Sequence, residues 1–310
     1  MIIKLFNFWY FFWIILETGM FLGLYFLLRN RSVNVQKWTL FSILAIALIM
    51  HFTKVFYPPY STDEARCLRD SWFVNICGAN IALFPFIFLI KNKYAKDYMF
   101  YIGVLSGIIA TLYPTEPMDK ANQLGEQLDI IRFYLHHGFL WMVPLLMVIF
   151  HLHEIDYHRI LSAPIGLLVI LLFVILNQVF QAELGFIPQR NDDFFDVNWK
   201  NTSWIWGPDD SIGELLAIFC PKFFTIVPIG EHAGETKYWP WFWLIFPVFI
   251  LVTPAAFGLS MIFEHKHFAS DMRILIEKAK GYVSMWKGKF PHKEEEKEDS
   301  FEKKSDDTIL

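Results

Sequence analysis

Cysteine is scarce in this chain: Cys67, Cys77 and Cys220 are the three among 310 residues. So few, and so scattered, they exclude a disulfide framework and a cysteine-based zinc site. No small-residue cleavage site follows the N-terminal apolar run. That run is long enough to be a retained spanning helix, not a removed signal peptide. No internal repeat is visible, and no G-x-x-x-G stripe stands out. Net charge is also small, at −4, but it conceals strong segregation along the chain.

What the sequence does hold is apolar and aromatic. Hydrophobic residues make up 55% and aromatics 18%, with 33 Phe and 12 Trp. A soluble domain of this size would not need so many long apolar runs, so the fold class expected is an all-α integral membrane protein. A spanning helix needs about 20 mostly apolar residues. Seven stretches qualify or come close: 8–28, 38–57, 72–90, 98–113, 131–150, 160–180 and 238–262. The expected seven-helix domain is therefore 1–263, with 181–237 as a long extracytoplasmic connection.

Orientation follows the lysines and arginines at helix ends. Arg29, Arg31 and Lys37 mark one side, as do Lys91, Lys93 and Lys96 and the lysine-rich stretch from Lys266. Glu116, Asp119, Glu126 and Asp129 mark the other, with Asp192, Asp193, Asp196, Asp209 and Asp210. The alternation predicts an outside N-terminus and a cytosolic C-terminus. Residues 212–229 are apolar but hold Glu214, Pro221 and Lys222, which favours an interfacial or re-entrant helix over an eighth span. Beyond the last span, Ser270 is the expected N-cap of a basic amphipathic helix within 264–288, lying on the cytosolic leaflet. Residues 289–310 are charged, nearly without apolar side chains, and expected to be disordered.

Polar side chains inside spans are costly unless they face protein or water, and so they mark candidate sites. The stretch IRFYLHHGFLWMVPLLMVIF, 131–150, carries Arg132, His136 and His137 in its first two turns. At 1.5 Å per residue, Cys77 and His137 lie roughly 8 and 9 Å below the outer boundary, in one layer. His51, Lys54, Asn80 and Asn177 share that outer half. A thiol beside an imidazole can serve as nucleophile and base, and amides such as Asn80 or Asn177 can donate to an oxyanion. The alternatives are a cysteine that only fills space and a histidine that only bonds a backbone carbonyl. Arg132 is expected to anchor the outer interface on the face of His136, and Lys54 to snorkel. Glu17 is expected to pair with His51 or Lys54, as structural glue or as a proton site. On the opposite side, His151, His153, Glu154, Asp156, His158, Glu264, His265 and His267 are the raw material of a metal site, although their spacing matches no established box. Topology would allow a Cys67–Cys220 disulfide, and Asn201-Thr202-Ser203 is a glycosylation sequon.

The order of four segments resembles the YwaF-like family of integral membrane proteins, which includes an animal acyltransferase that builds ether phospholipids. The segments are SWFVNICGANIALFPFIFL, FYLHHGFLWMVPLLMV, ILNQVFQAELGF and YWPWFWLIFPVF, covering most of 70–262. Carried over residue by residue, the resemblance implies Cys77 as nucleophile, His137 as the histidine before Gly138, and Asn177 as the sixth-span amide. Trp72-Phe73-Val74 replaces the family's Pro-Leu ahead of the cysteine, and no Tyr follows Asn177.

Three functions are thus in play. One is a lipid acyltransferase or hydrolase in which Cys77 and His137 are catalytic and Asn80, Asn177, His51 and His136 bind substrate. The second is a non-catalytic ligand-binding, transport or receptor-like protein, with 181–237 as a lid. The third is a metal-binding membrane protein through the cytosolic histidines. No cofactor is expected. The expected partners are membrane lipids and not nucleic acid, and the expected location is the plasma membrane.

Overall fold

The structure, a computed structural model, describes residues 1–119, 126–185 and 203–289. The charged tail from 290, the acids Asp192, Asp193 and Asp196, and the sequon residues Asn201 and Thr202 lie outside the described residues. Contacts divide the chain into two units, Met1–Phe263 and Glu264–Leu310.

The spans begin where short polar side chains satisfy helix-start N–H groups. Asn7 Oδ1 accepts from Tyr10 N (2.9 Å) and opens α1, Phe8–Leu28. Helix α2, Val33–Thr53, runs into a 3-10 turn at Lys54–Phe56. Asp63 caps α3, Glu64–Ser71, and Asn75 caps α4, Ile76–Leu89. Asn92 caps α5, Lys93–Leu112, which is followed by α6, Thr115–Asp119, and α7, Glu126–Ile149. Helices α8, Ser162–Glu183, α9, Ser211–Ala217, and α10, Ile245–Lys289, complete the chain. Six of these segments are long and apolar enough to cross a membrane. Apart from one isolated bridge between Ile226 and Thr236, the described residues carry no strand pairing. The protein is an all-α, multi-pass integral membrane protein.

The expected span 72–90 is the departure. Its helix holds only 14 residues, about 21 Å at 1.5 Å per residue. Backbone at Trp72 and Asn75 is extended, so the apolar run opens as a short non-helical lead-in, between α3 and α4, and becomes helical only at Ile76. Residues 212–229 form no span either, only the seven-residue α9 and a 3-10 turn at Lys222–Thr225. At the other end, Ser270 starts no new helix but lies inside the 45-residue α10. No Pro or Gly stands between Leu259 and Lys280 to end it.

Helices α5 and α7 form the central pair, with α2, α4 and α8 packed around them and α1 mainly against α7. The α5–α7 contact depends on a small-residue stripe that hydropathy reading passes over, Gly103-x-x-x-Gly107. A Cβ on Gly103 would sit 2.6 Å from the Leu140 carbonyl, and one on Gly107 2.7 Å from the His137 carbonyl. Only hydrogen in place of a side chain allows the backbones this close. Gly166 of α8 similarly admits the ring of Tyr98, within 2.4 Å of where its Cβ would stand.

A methyl group tests the stripe. Gly107→Ala should cost about 1–3 kcal/mol of stability by overpacking, lowering the unfolding temperature of the detergent-purified protein. Gly23→Ala, with nothing within 4 Å of its Cβ, should leave that temperature at the wild-type value or slightly above it. Equal responses at the two positions would rule out the stripe as a packing constraint.

Candidate active site

The extended lead-in to α4 creates a problem that its neighbours solve. Non-helical backbone at membrane depth exposes carbonyls that must find donors within the protein. Lys54 Nζ donates to the Asp70 carbonyl, and His51 Nε2 to that of Ser71 (3.3 Å). Asn177 Nδ2 donates to the Phe73 carbonyl (3.3 Å) and Gln178 Nε2 to that of Val74 (3.0 Å). Four side chains from α2, its 3-10 extension and α8 therefore hold the break open. Lys54 is buried and does not snorkel. Asn177 supports backbone.

The break places the start of α4 at a cavity of about 60 Å³. Cys77, His51, His136 and His137 line it, together with Lys54, Tyr60, Asp70, Glu116 and Arg132. Four of the six residues expected at the site thus come together. Neither Asn80 nor Asn177 lines the cavity. Asn80 is fully buried, and its Oδ1 accepts from the Tyr98 hydroxyl at 2.7 Å. Asn177 turns to the Phe73 carbonyl.

Cys77 is the second residue of α4. Asn75 accepts from Gly78 N (2.7 Å) through Oδ1 and from Ala79 N (3.0 Å) through its carbonyl, while Ile76 N donates to Ser203 Oγ (3.2 Å). Among the described residues the Cys77 N–H is left without an acceptor.

The two adjacent histidines are fixed in opposite tautomers. His137 Nδ1 lies 2.8 Å from the Phe133 carbonyl, which can only accept, so Nδ1 carries the proton and Nε2 the lone pair. His136 Nδ1 lies 3.3 Å from Arg132 Nη1, which can only donate, so here Nδ1 carries the lone pair and Nε2 the proton. That Nε2–H is buried and has no partner among the described residues. Arg132 in turn is held by Asp129, Nε to Oδ1 at 2.7 Å, and the Tyr60 hydroxyl donates to the same carboxylate at 3.3 Å. Burial keeps the Tyr60 phenol above its ordinary range, so it stays a protonated donor. Arg132 therefore points inward instead of anchoring the interface. Its side chain is 13% exposed beside a fully buried Asp129. Tyr60 and Gln178 carry no signal in the sequence, while Glu116 and Asp129 stand there only as markers of the outer side; the i, i+3 spacing of Asp129 and Arg132 is the one cue to their pairing.

Other expectations are corrected. Glu17 pairs with neither His51 nor Lys54. Its Oε2 accepts from Thr111 Oγ1 (2.8 Å) and Trp141 Nε1 (3.0 Å), because α1 packs on α7 and α5. All three cysteines are free, so Cys67 and Cys220 form no disulfide. Burial pushes the Cys220 thiol up to about 11, which leaves it protonated and a poor nucleophile at neutral pH. Three of the five histidines beyond α7 and in α10 are engaged in pairs. His153 bonds Asp97 (2.7 Å), itself held by Arg159, while His158 bonds Asp156 and His267 bonds Glu264. No group of three or more His, Cys, Asp or Glu among the described residues could hold a metal ion.

A family model described as the TMEM164 family matches residues 4–253. No curated protein and no solved structure matches the chain.

The support of the break is open to test. Gln178→Leu removes the donor to the Val74 carbonyl and should cost about 0.5–1.5 kcal/mol, the net contribution of one intramolecular hydrogen bond. Arg132→Met should cost more, about 3–5 kcal/mol, by removing one member of a buried ion pair, and Asp129→Leu added to it should restore most of the loss. Thermal or denaturant unfolding in detergent measures both. A double variant no more stable than Arg132→Met would remove the buried pair from the argument.

Proposed function

The chain belongs to the TMEM164 family, and from that premise we propose that it is an acyltransferase or hydrolase acting on membrane lipids through Cys77 and His137. The observation that carries the proposal is that both residues line one cavity, with His137 held in the tautomer whose Nε2 can accept a proton. In the first half-reaction His137 Nε2 takes the Cys77 proton and the thiolate attacks the carbonyl carbon of an acyl ester. The C–S bond forms, the ester C–O bond breaks, and the leaving alkoxide recovers the proton from the imidazolium. The product is a thioester on Cys77. In the second half a lipid hydroxyl, or water, gives its proton to His137 and attacks the thioester; the new C–O bond forms, the C–S bond breaks, and the leaving thiolate takes the proton back from the imidazolium.

The substrate class follows from the site's depth. In the seven-crossing arrangement the extended lead-in and α4 together make the third crossing. The 14 helical residues reach about 21 Å at about 1.5 Å each, and the non-helical lead-in supplies the rest of the crossing. With the basic loops inside, the cavity opens in the outer half of the bilayer, at the level of acyl-ester carbonyls. The plasma membrane is the proposed location and phospholipids are the proposed partners. The small cavity suits a reacting ester group, while the acyl chains stay among the exposed apolar side chains of the surrounding helices.

Cys77→Ser and His137→Ala should each lower acyl-probe labelling by about 100-fold or more, whereas Cys67→Ser and Cys220→Ser should not. Lipidomics on a deletion strain rescued with wild type or with Cys77→Ser provides the cellular measurement. Identical lipid profiles and labelling in the two strains would sink the proposal.

A further inference from the structure

Two donors that the chemistry above does not use belong to residues lining the cavity and have no acceptor among the described residues. One is the Cys77 N–H at the start of α4, left open because Asn75 and Ser203 take its neighbours. The other is His136 Nε2–H on α7, in a residue only 2% exposed and without an acceptor. A buried N–H without a partner is uncommon and costs about 1–3 kcal/mol. Such a donor persists where a bound group supplies the missing acceptor. Here both belong to residues that line one cavity, one of them at a helix N-terminus, where a negative charge is favoured.

We propose that Cys77 N–H and His136 Nε2–H form an oxyanion hole, with Arg132 as the positioning residue that holds His136 in its donor tautomer. The assignment rests on the acyl-transfer reading above and gives the adjacent histidines separate duties. As the Cys77 thiolate bonds to the ester carbonyl carbon, the carbonyl π pair moves onto oxygen. That anion takes hydrogen bonds from the two N–H groups, with no proton transferred to it. When the C=O bond re-forms, the ester C–O bond breaks and the alkoxide takes its proton from His137. His136 ends the cycle as it began. The Arg132 guanidinium excludes the alternative tautomer: it occupies Nδ1 as a donor, so the ring's N–H stands at Nε2.

The test compares two reactions of the same sulfur. Full-length protein carrying Cys67→Ser and Cys220→Ser is placed in lipid nanodiscs. It is treated with a long-chain p-nitrophenyl ester or, separately, with iodoacetamide, and Cys77 is followed by intact mass. Acylation passes through an oxyanion; alkylation displaces iodide and does not. His136→Phe should slow acylation by about 100-fold, the usual effect of losing one oxyanion donor, and leave alkylation within about twofold. His136→Gln, which keeps an amide N–H at similar reach, should recover acylation to within about tenfold of wild type. Unchanged alkylation also shows that the variant has kept its fold around Cys77. If His136→Phe slows both reactions alike, or neither, the oxyanion assignment is wrong. If the parent protein alkylates but never acylates at Cys77, the acyl-transfer reading itself fails.

Discussion

A non-helical lead-in to α4 inside an apolar bundle is the constraint on which the site depends. The non-helical stretch between Ser71 and Ile76 exposes carbonyls where no water can bond them, and a bilayer tolerates this only if the protein supplies donors. Lys54, His51, Asn177 and Gln178 supply them. Their placement ties α2 and α8 to one short segment, and the tie fixes where α4 begins. Helix α4 then starts inside the protein with Cys77 in its first turn. A continuous helix over 72–90 would have satisfied its own backbone and needed none of these side chains. It would also have joined the Cys77 N–H to a carbonyl four residues earlier and left no open donor.

The second wall of the cavity is held by close packing. Gly103 and Gly107 bring α5 against the Leu140 and His137 carbonyls of α7, while Trp13 of α1 stacks on Tyr134 at 4.6 Å. Helix α7 is gripped from both sides, so the turn bearing His136 and His137 has little freedom to rotate. Its buried charge works in the same direction. The Asp129–Arg132 pair fixes the guanidinium before His136 meets it, and side chains so fixed are the condition for a site of defined geometry. The polar residues here do more for position than for stability, since a buried ion pair contributes little net stability over an apolar pair of the same shape.

How much of this was legible in the sequence follows from where each signal is stored. Helix α1 occupies 8–28 as expected, since an uninterrupted apolar run is a local property. Cys77 and His137 were placed in one layer by residue counting, and His136 was put on the face of Arg132 by its i, i+4 spacing. The break before α4 was not legible. Trp72-Phe73-Val74 is apolar, hydropathy cannot separate it from helix, and the donors that stabilise the extended form lie up to 104 residues away. The glycine stripe was present in the letters, but a small residue matters only through what approaches it, and Leu140 and His137 are distant in sequence. Glu17 was matched with the helix next in the chain, whereas α1 packs across the bundle on α7. Asn80 and Asn177 were ranked by chemical type alone, and their contacts show amides bonded to Tyr98 and to backbone.

The two histidines show why residue type alone could not assign roles. Successive residues on a helix point about 100° apart, so a neighbouring pair cannot present the same face, and yet both reach the cavity. Each ring has its Nδ1 bonded to the residue four positions earlier. At His137 that partner is the Phe133 carbonyl, an acceptor; at His136 it is the Arg132 side chain, a donor. The identical i−4 spacing therefore imposes opposite tautomers. One ring has its lone pair at Nε2, and the other keeps a proton at the equivalent nitrogen. Exchanging the two roles would require an acceptor where Arg132 stands, and the Asp129 carboxylate that holds the guanidinium in place makes that exchange costly. The asymmetry is built one turn away, in Phe133 backbone and in the Asp129–Arg132 pair, and it leaves two residues of the same kind on one cavity, one with a lone pair at Nε2 and one with a proton there.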